Sequence, residues 1–367
     1  MYNFIQNYYY SNNNKIKKNN NDITIEEIIS QDFLDKLPKD LYDLLENIQN
    51  KKLDFNIDIE NLALPGANGN LIYMIGVLYI FEKLDVLKNI KNYACTSAGC
   101  LIGLFLVLNT KIDKLFKMFY DNKIIKLMYQ DKNYLYDFFN ILTHGGFADN
   151  FIVKQNLKSY IDDCLDDKTK IKDDYTFLDL YNLTGKTFNI IVSNITLKKP
   201  EIFNHINSPN QSVIDSIIIS CSYPIIFRPV KLNDNYYLDG GLFNNYPITV
   251  FDKEMYNGKL YHGNQDKEYN FNKSIMIMCN SMEDDYLKYN GFFDYFSNLL
   301  LVPYQYINYK YLSDDYKNKI IKINLQDLSN FVFYYSNNQS IKEKKKNLIL
   351  DSIKCTLEYI LKNYKII

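Results

Sequence analysis

Apolar residues recur along this chain in two periods, and the switching between them predicts its architecture. Thr24-Ile25-Glu26-Glu27 has capping-box spacing and opens a short helix; Leu41, Leu44, Leu45 and Ile48 then recur at helical spacing behind Pro38. Residues 59–64 read as a strand, 65–70 as a tight loop, and 71–84 as an apolar helix with Gly76 inside it. Residues 89–94 predict a second buried strand, and the uncharged run 100–108 a buried helix. Strand, loop, helix, strand, turn, helix is the order of a parallel α/β unit. Beyond it, 111–167 is mostly helical with a break at Gly145-Gly146, long enough to cap a site. Residues 186–197 return to strand, and 212–221 form an apolar helix closed by Tyr223-Pro224. A short strand, 236–238, runs into Asp239-Gly240-Gly241. A polar loop, 256–272, precedes a buried strand at 275–279. An aromatic-rich helix at 286–312 and a last strand at 320–325 follow. Ser340-Ile341-Lys342-Glu343 has capping-box spacing and opens a final helix to about residue 362. The pattern predicts an α/β fold: a mainly parallel central sheet with helices on both faces, plus helical N- and C-terminal extensions.

Composition narrows the function. The chain has 367 residues, 47% of them apolar, which is ample for a large core. The net charge is −1, so no polyanion-binding surface is expected and nucleic acid is not a predicted partner. Abundant Asn, Ile, Lys and Tyr with no Trp reads as coding bias rather than function. The six cysteines lack paired metal-ligand spacing; together with the absence of an apolar leader after Met1 they predict an intracellular, cytoplasmic protein with no metal and no cofactor. The longest apolar runs, 71–81 and 101–108, are too short to span a bilayer. Residues 1–21 read as a low-complexity flexible tail and 22–57 as a helical arm. Residues 58–280 read as the α/β domain, and 281–367 as a mostly helical extension packed on it. The basic cluster Lys342–Lys346 reads first as a solvated helix face.

Candidate chemistry centres on Ala94-Cys95-Thr96-Ser97-Ala98-Gly99-Cys100. A serine between small residues, after a strand and before a helix, has the context of a nucleophile elbow, a strained turn that lifts one hydroxyl clear of the sheet. Gly99 fits the G-x-S-x-G pattern, and Cys95 stands where its first Gly would be. The same residues also suit an ordinary helix N-cap, and Asp239-Gly240-Gly241 an ordinary turn after a strand. Of the three histidines, His262 follows Ser97 and Asp239 in the order of a hydrolase triad, but lies in a polar loop and reads as exposed.

Taken together the segments are more specific. Residues 62–84 (LALPGANGNLIYMIGVLYIFEKL) and 93–108 (YACTSAGCLIGLFLVL) resemble the opening of the patatin-like phospholipases, where a Gly-rich oxyanion loop precedes a helix and a G-T-S-A-G elbow follows. Residues 212–230 (SVIDSIIISCSYPIIFRPV) and 236–248 (YYLDGGLFNNYPI) resemble that family's second block, which ends in its D-G-G. The resemblance implies a patatin-like α/β fold and a Ser–Asp dyad, with Ser97 as nucleophile, Asp239 as base, and Gly240 and Gly241 in the dyad loop. It places the oxyanion hole at Gly66, Ala67 and Asn68. It also implies a phospholipase A-type lipid acyl hydrolase acting on phospholipid or other lipid esters, with peripheral membrane contact. The family's loop has three glycines, a variable residue, a basic residue and a glycine. Here the run is Gly66-Ala67-Asn68-Gly69-Asn70-Leu71, so Ala67, Asn68, Asn70 and Leu71 depart from it, as Cys95 does at the elbow. Those departures motivate an alternative, a weakly active or inactive patatin-like protein serving as a lipid- or protein-binding module.

Overall fold

A computed structural model of the chain describes residues 23–52, 57–67, 71–120, 146–148, 175–256, 260–261, 269–279, 314–323 and 339–364, with a few single positions between them. The tail 1–21, most of the expected cap 111–167, His262, and Asn68 to Asn70 lie outside the described residues or largely so.

The N-terminal arm forms three helices, α1 (Ile25–Ile28), α2 (Gln31–Lys36) and α3 (Lys39–Gln49). The expected capping box is present at α1: Glu27 N–H donates to Thr24 Oγ1, and Thr24 N–H to Glu27 Oε2. Next come β1 (Asn61–Leu64), α4 (Ile72–Lys83), β2 (Asn92–Thr96), α5 (Gly99–Val107) and α6 (Ile112–Tyr120). Strand β2 lies two to three residues later than its apolar pattern suggested. Its first position is Asn92, whose buried carboxamide donates to Asn61 Oδ1 on β1, 2.7 Å away. Two asparagines thus start neighbouring strands, and a pattern read from apolar residues passes over them.

The second half comprises β3 (Gly146–Ala148), α7 (Phe177–Thr184), β4 (Thr187–Asn194), β5 (Lys199–Phe203) and α8 (Val213–Ser220). Then follow β6 (Ile225–Phe227), β7 (Val230–Leu232), β8 (Asn235–Asp239), α9 (Gly241–Asn244), β9 (Ser274–Cys279), β10 (Ile320–Ile323) and α10 (Gln339–Asn363). Strands β10, β9, β1, β2 and β4 are parallel neighbours, while β5 and β8 pair β4 antiparallel and β7 pairs β8 antiparallel. Strands β3 and β6 form a separate parallel pair. The fold is α/β with a mainly parallel central sheet.

Alternate residues of the sheet serve two cores, as the two-residue side-chain period requires. Leu62, Leu64, Tyr93, Cys95, Phe188, Ile190, Val192, Ile275 and Ile277 face the core that also takes α3, α4, α5, α8 and α10. Ala63, Ala94, Ile191, Met276 and Met278 face the other side, where the described cover is the 3-10 helix Pro247–Phe251 with Tyr256, Tyr261 and Tyr316. The cluster at 342–346 is not wholly solvated: Lys345 Nζ turns inward to the carbonyls of Phe119 (2.9 Å) and Tyr120 at the end of α6.

The pairing on β4 sets up the site. A strand has two edges. Residues 190–194 pair with β5 along one edge, so β2 and β8 must share the other. Strand β2 takes that edge as far as the pair Thr96–Ile191, and antiparallel β8 takes it from the pair Asp239–Val192 onward. The C-terminal tips of β2 and β8 therefore meet head to head, one residue apart along β4. Both chains must turn out of the sheet there.

Candidate active site

The turn at the tip of β2 is Ser97, with φ of +49°. A left-handed conformation costs a non-glycine residue about 1–2 kcal/mol, so the surroundings must impose it. Three contacts do so. The Ser97 N–H donates to Ser220 Oγ at 2.8 Å, and Ser220 Oγ in turn donates to Ile191 O of β4 at 2.6 Å. Cys100 N–H closes the turn onto Ser97 O at 2.9 Å. Thr96 Oγ1 donates to Asn244 O at 3.1 Å. Helix α5 starts directly after the turn, pressed against the end of β1: a Cβ on Gly99 would lie 2.3 Å from Leu64 O and 2.6 Å from Pro65 O. Only glycine fits there.

The turn at the tip of β8 is Asp239-Gly240. A Cβ on Gly240 would lie 2.1 Å from Ile191 O and 3.2 Å from Thr96 Cγ2, which is where the two strand tips collide. Asp239 N–H donates to Ser222 O and Gly240 N–H to Ser220 O, so the end of α8 holds this turn as well as the serine turn. Asp239 is 4% exposed, and its carboxylate has two partners. Gly241 N–H donates to Oδ1 at 2.8 Å, and Ser97 Oγ–H donates to Oδ2 at 2.5 Å. Burial pushes the Asp239 carboxyl up to about 7, against the opposing pull of the Ser97 hydroxyl and the Gly241 amide. A carboxylate of that basicity, in contact with a half-buried hydroxyl, can accept a proton near neutral pH.

The structure thus brings Ser97, Asp239, Gly99, Gly240 and Gly241 to one point. Gly66 is there too: a Cβ on it would lie 3.0 Å from Ser97 Cβ. Its N–H donates to Asn245 Oδ1 at 3.0 Å, so in this structure it is not offered to the space above the serine. Ala67 follows, half-buried. Cys95 points away from the site. A Cβ on Gly103 of α5 would lie 2.4 Å from Cys95 Sγ, so the thiol fills the space that Gly103 leaves. Burial holds the Cys95 thiol well above its ordinary pKa, which makes it a packing residue. Cys221 and Tyr223 border the Ser97–Asp239 pair; burial raises both, Tyr223 to about 12. His205, the one histidine among the described residues, stacks on Tyr181 at 3.8 Å. No cluster of three metal-ligating side chains occurs among the described residues, and no described helix is long and apolar enough to cross a membrane.

Ser220 and Asn245 were not legible as site residues. A serine ending an apolar helix reads as a helix terminus, and an asparagine before Tyr-Pro reads as a turn. Their roles arise from residues more than a hundred positions away.

A serine turned out of a strand tip ahead of a helix, in contact with a buried carboxylate, stands within a mainly parallel α/β fold. Residues 62–252 match the family model for patatin-like phospholipase, and the chain belongs to that family of lipid hydrolases. It is 27% identical over 328 residues to an uncharacterized protein of Acanthamoeba polyphaga mimivirus, covering 87% of this chain and 99% of that one. It is 29% identical over 211 residues to a probable lipid hydrolase of Invertebrate iridescent virus 6, covering 57% of this chain and 66% of that one. Among solved structures, VipD from Legionella pneumophila shares the fold, with a TM-score of 0.50 and 15% identity over 84% of this chain and 68% of that one.

Proposed function

We propose that the chain is a serine lipid acyl hydrolase of phospholipase A type, cleaving carboxylic esters of phospholipids or related lipids through a Ser97–Asp239 dyad. The observation that carries this reading is the 2.5 Å contact between Ser97 Oγ and an Asp239 carboxylate whose pKa burial brings to about 7. Ser97 Oγ attacks the ester carbonyl while its proton passes to Asp239 Oδ2. The resulting oxyanion is held by backbone N–H groups, for which those of Ala67, Asn68 and Ala98, the residue just ahead of α5, are the candidates. Collapse of the intermediate expels the alcohol, which takes the proton back from Asp239 and leaves an acyl-serine. Water then attacks the acyl-serine, giving a proton to Asp239, and the fatty acid leaves as Ser97 is reprotonated. A substrate insoluble in water places this chemistry at a lipid surface, which supports peripheral membrane contact.

The binding-module alternative drew on Cys95 and the loop departures. The space for Cys95 beside Gly103 gives that substitution a packing explanation and weakens the alternative.

The test is labelling by a fluorophosphonate together with hydrolysis of phospholipid vesicles. Wild type is expected to label and turn over, and Ser97→Ala and Asp239→Asn to do neither while remaining folded. Because the two residues form one proton-transfer unit, the double variant should be little worse than either single one. Near wild-type turnover by Asp239→Asn would remove Asp239 from the mechanism.

A further inference from the structure

The segment after Asp239 does more than carry a carboxylate. From Gly241 it makes one turn of helix, α9, and returns to the site at Asn244 and Asn245. Along that turn it touches three parts of the site. Gly241 N–H holds Asp239 Oδ1, Asn244 O accepts from Thr96 beside the serine, and Asn245 meets Gly66. The Asn245 side chain belongs to a residue 5% exposed, and it engages both backbone groups of Gly66: Oδ1 accepts from Gly66 N–H at 3.0 Å, and Nδ2 donates to Gly66 O at 3.4 Å. Gly66 is wedged so closely that a Cβ would lie 2.5 Å from Asn245 Oδ1 and 3.0 Å from Ser97 Cβ.

We infer that Asn245 is a positioning residue, whose carboxamide pins Gly66 against Ser97 and so aims the Ala67 amide at the reacting carbonyl. A peptide unit grasped at both its N–H and a neighbouring C=O cannot rotate freely, so the next amide, that of Ala67, inherits a fixed direction. This matters more here than in a loop of consecutive glycines, because Ala67 cannot visit positive φ cheaply to correct its own aim. The kinetic half of the inference rests on the hydrolase reading above; the structural half does not.

Two measurements on the full chain separate them. Amide hydrogen exchange at Gly66 should be slow in wild type and at least about tenfold faster in Asn245→Leu, which keeps the volume and loses both hydrogen bonds. Asn245→Asp retains the acceptor and should keep the protection; this variant also serves if the leucine variant does not fold. Unchanged exchange in a folded Asn245→Leu, or lost protection in Asn245→Asp, overturns the clamp. In vesicle hydrolysis, Asn245→Leu should lose about 100-fold in kcat, the scale of a misplaced catalytic group, with KM and the pH midpoint set by Asp239 unchanged. A merely structural residue would lower stability without that split. Wild type without Ser97-dependent hydrolysis sinks the hydrolase reading and leaves the exchange result to decide the clamp. Active wild type with an equally active Asn245→Leu sinks the inference alone.

Discussion

In the proposed dyad, Asp239 sets activity and stability against each other. Its proton acceptance requires the ionised form, so kcat/KM should climb with pH along a limb centred near 7, read from a pH–rate profile on a soluble ester. Stability runs the other way. Unfolded, the carboxyl titrates near 3.8; folded, near 7. Between those values the folded chain binds the proton more tightly, so its stability falls as pH rises through that window and stays lowered above it. Asp239→Asn removes the buried charge and keeps the shape. It should therefore be dead in turnover yet more stable than wild type at pH 8, by on the order of 2–4 kcal/mol, with the gap closing below pH 4. Urea titrations at pH 4 and pH 8 would show this, and a variant less stable at both would mean that the ionised carboxylate is well solvated after all.

Cys95 and Gly103 are a matched pair at the same scale. Gly103→Ala would push its methyl into Cys95 Sγ and to 2.9 Å from the Phe188 ring, for an expected loss of about 1–3 kcal/mol. Adding Cys95→Gly, the residue the elbow pattern favours, should recover part of that loss. Additive losses in denaturant melts would uncouple the two positions. The sequence revealed that Cys95 was out of pattern, but not why it is tolerated. The compensating glycine sits a full turn into the next helix, where an isolated Gly carries no distinguishing mark.

At the scale of elements, legibility followed the apolar pattern. Helices α4, α5 and α8 and strands β1, β4 and β9 are runs whose residues are almost all buried, whereas α3 buries Leu41, Leu44, Leu45 and Ile48 at helical spacing; the apolar pattern predicts both kinds. Strand β5 is not legible because Lys199, Pro200 and Glu201 carry no apolar strand signal; its buried positions are Pro200, Ile202 and Phe203, and Lys199 and Glu201 are half-buried. Strands β6 and β7 are three residues each, too short for any period to register. The box expected at Ser340 falls one residue inside α10. The elbow and D-G-G segments were visible, but not the geometry that joins them. Head-to-head strands are a property of pairing with β4, and no local pattern encodes which edge a strand will take.

At the scale of the molecule, the family match ends at residue 252, yet the fold does not. Strand β9 covers the free edge of β1, and α10 lies along α4, the helix that follows the candidate oxyanion loop. The two helices touch backbone to backbone at Gly76, where a Cβ would lie 2.0 Å from Ser352 Oγ and 2.5 Å from Ile349 O. Gly76→Ala should cost about 1–3 kcal/mol, and Ser352→Ala should not rescue it, because the Ile349 carbonyl stays in place. Full rescue in urea melts would mean that only the hydroxyl was in the way.

The head-to-head strand tips also govern when the site can exist during folding. Ser97 and Asp239 are 142 positions apart and share no strand pairing of their own; each is placed by its neighbour on β4. Contacts of such long range bear a large loop-closure entropy and form after the local ones. Until β8 docks on β4, Ser97 lacks its Asp239 partner and the turn lacks the hold of Asn244 O on Thr96. On the proposed mechanism, the serine would therefore become reactive only when the sheet is complete.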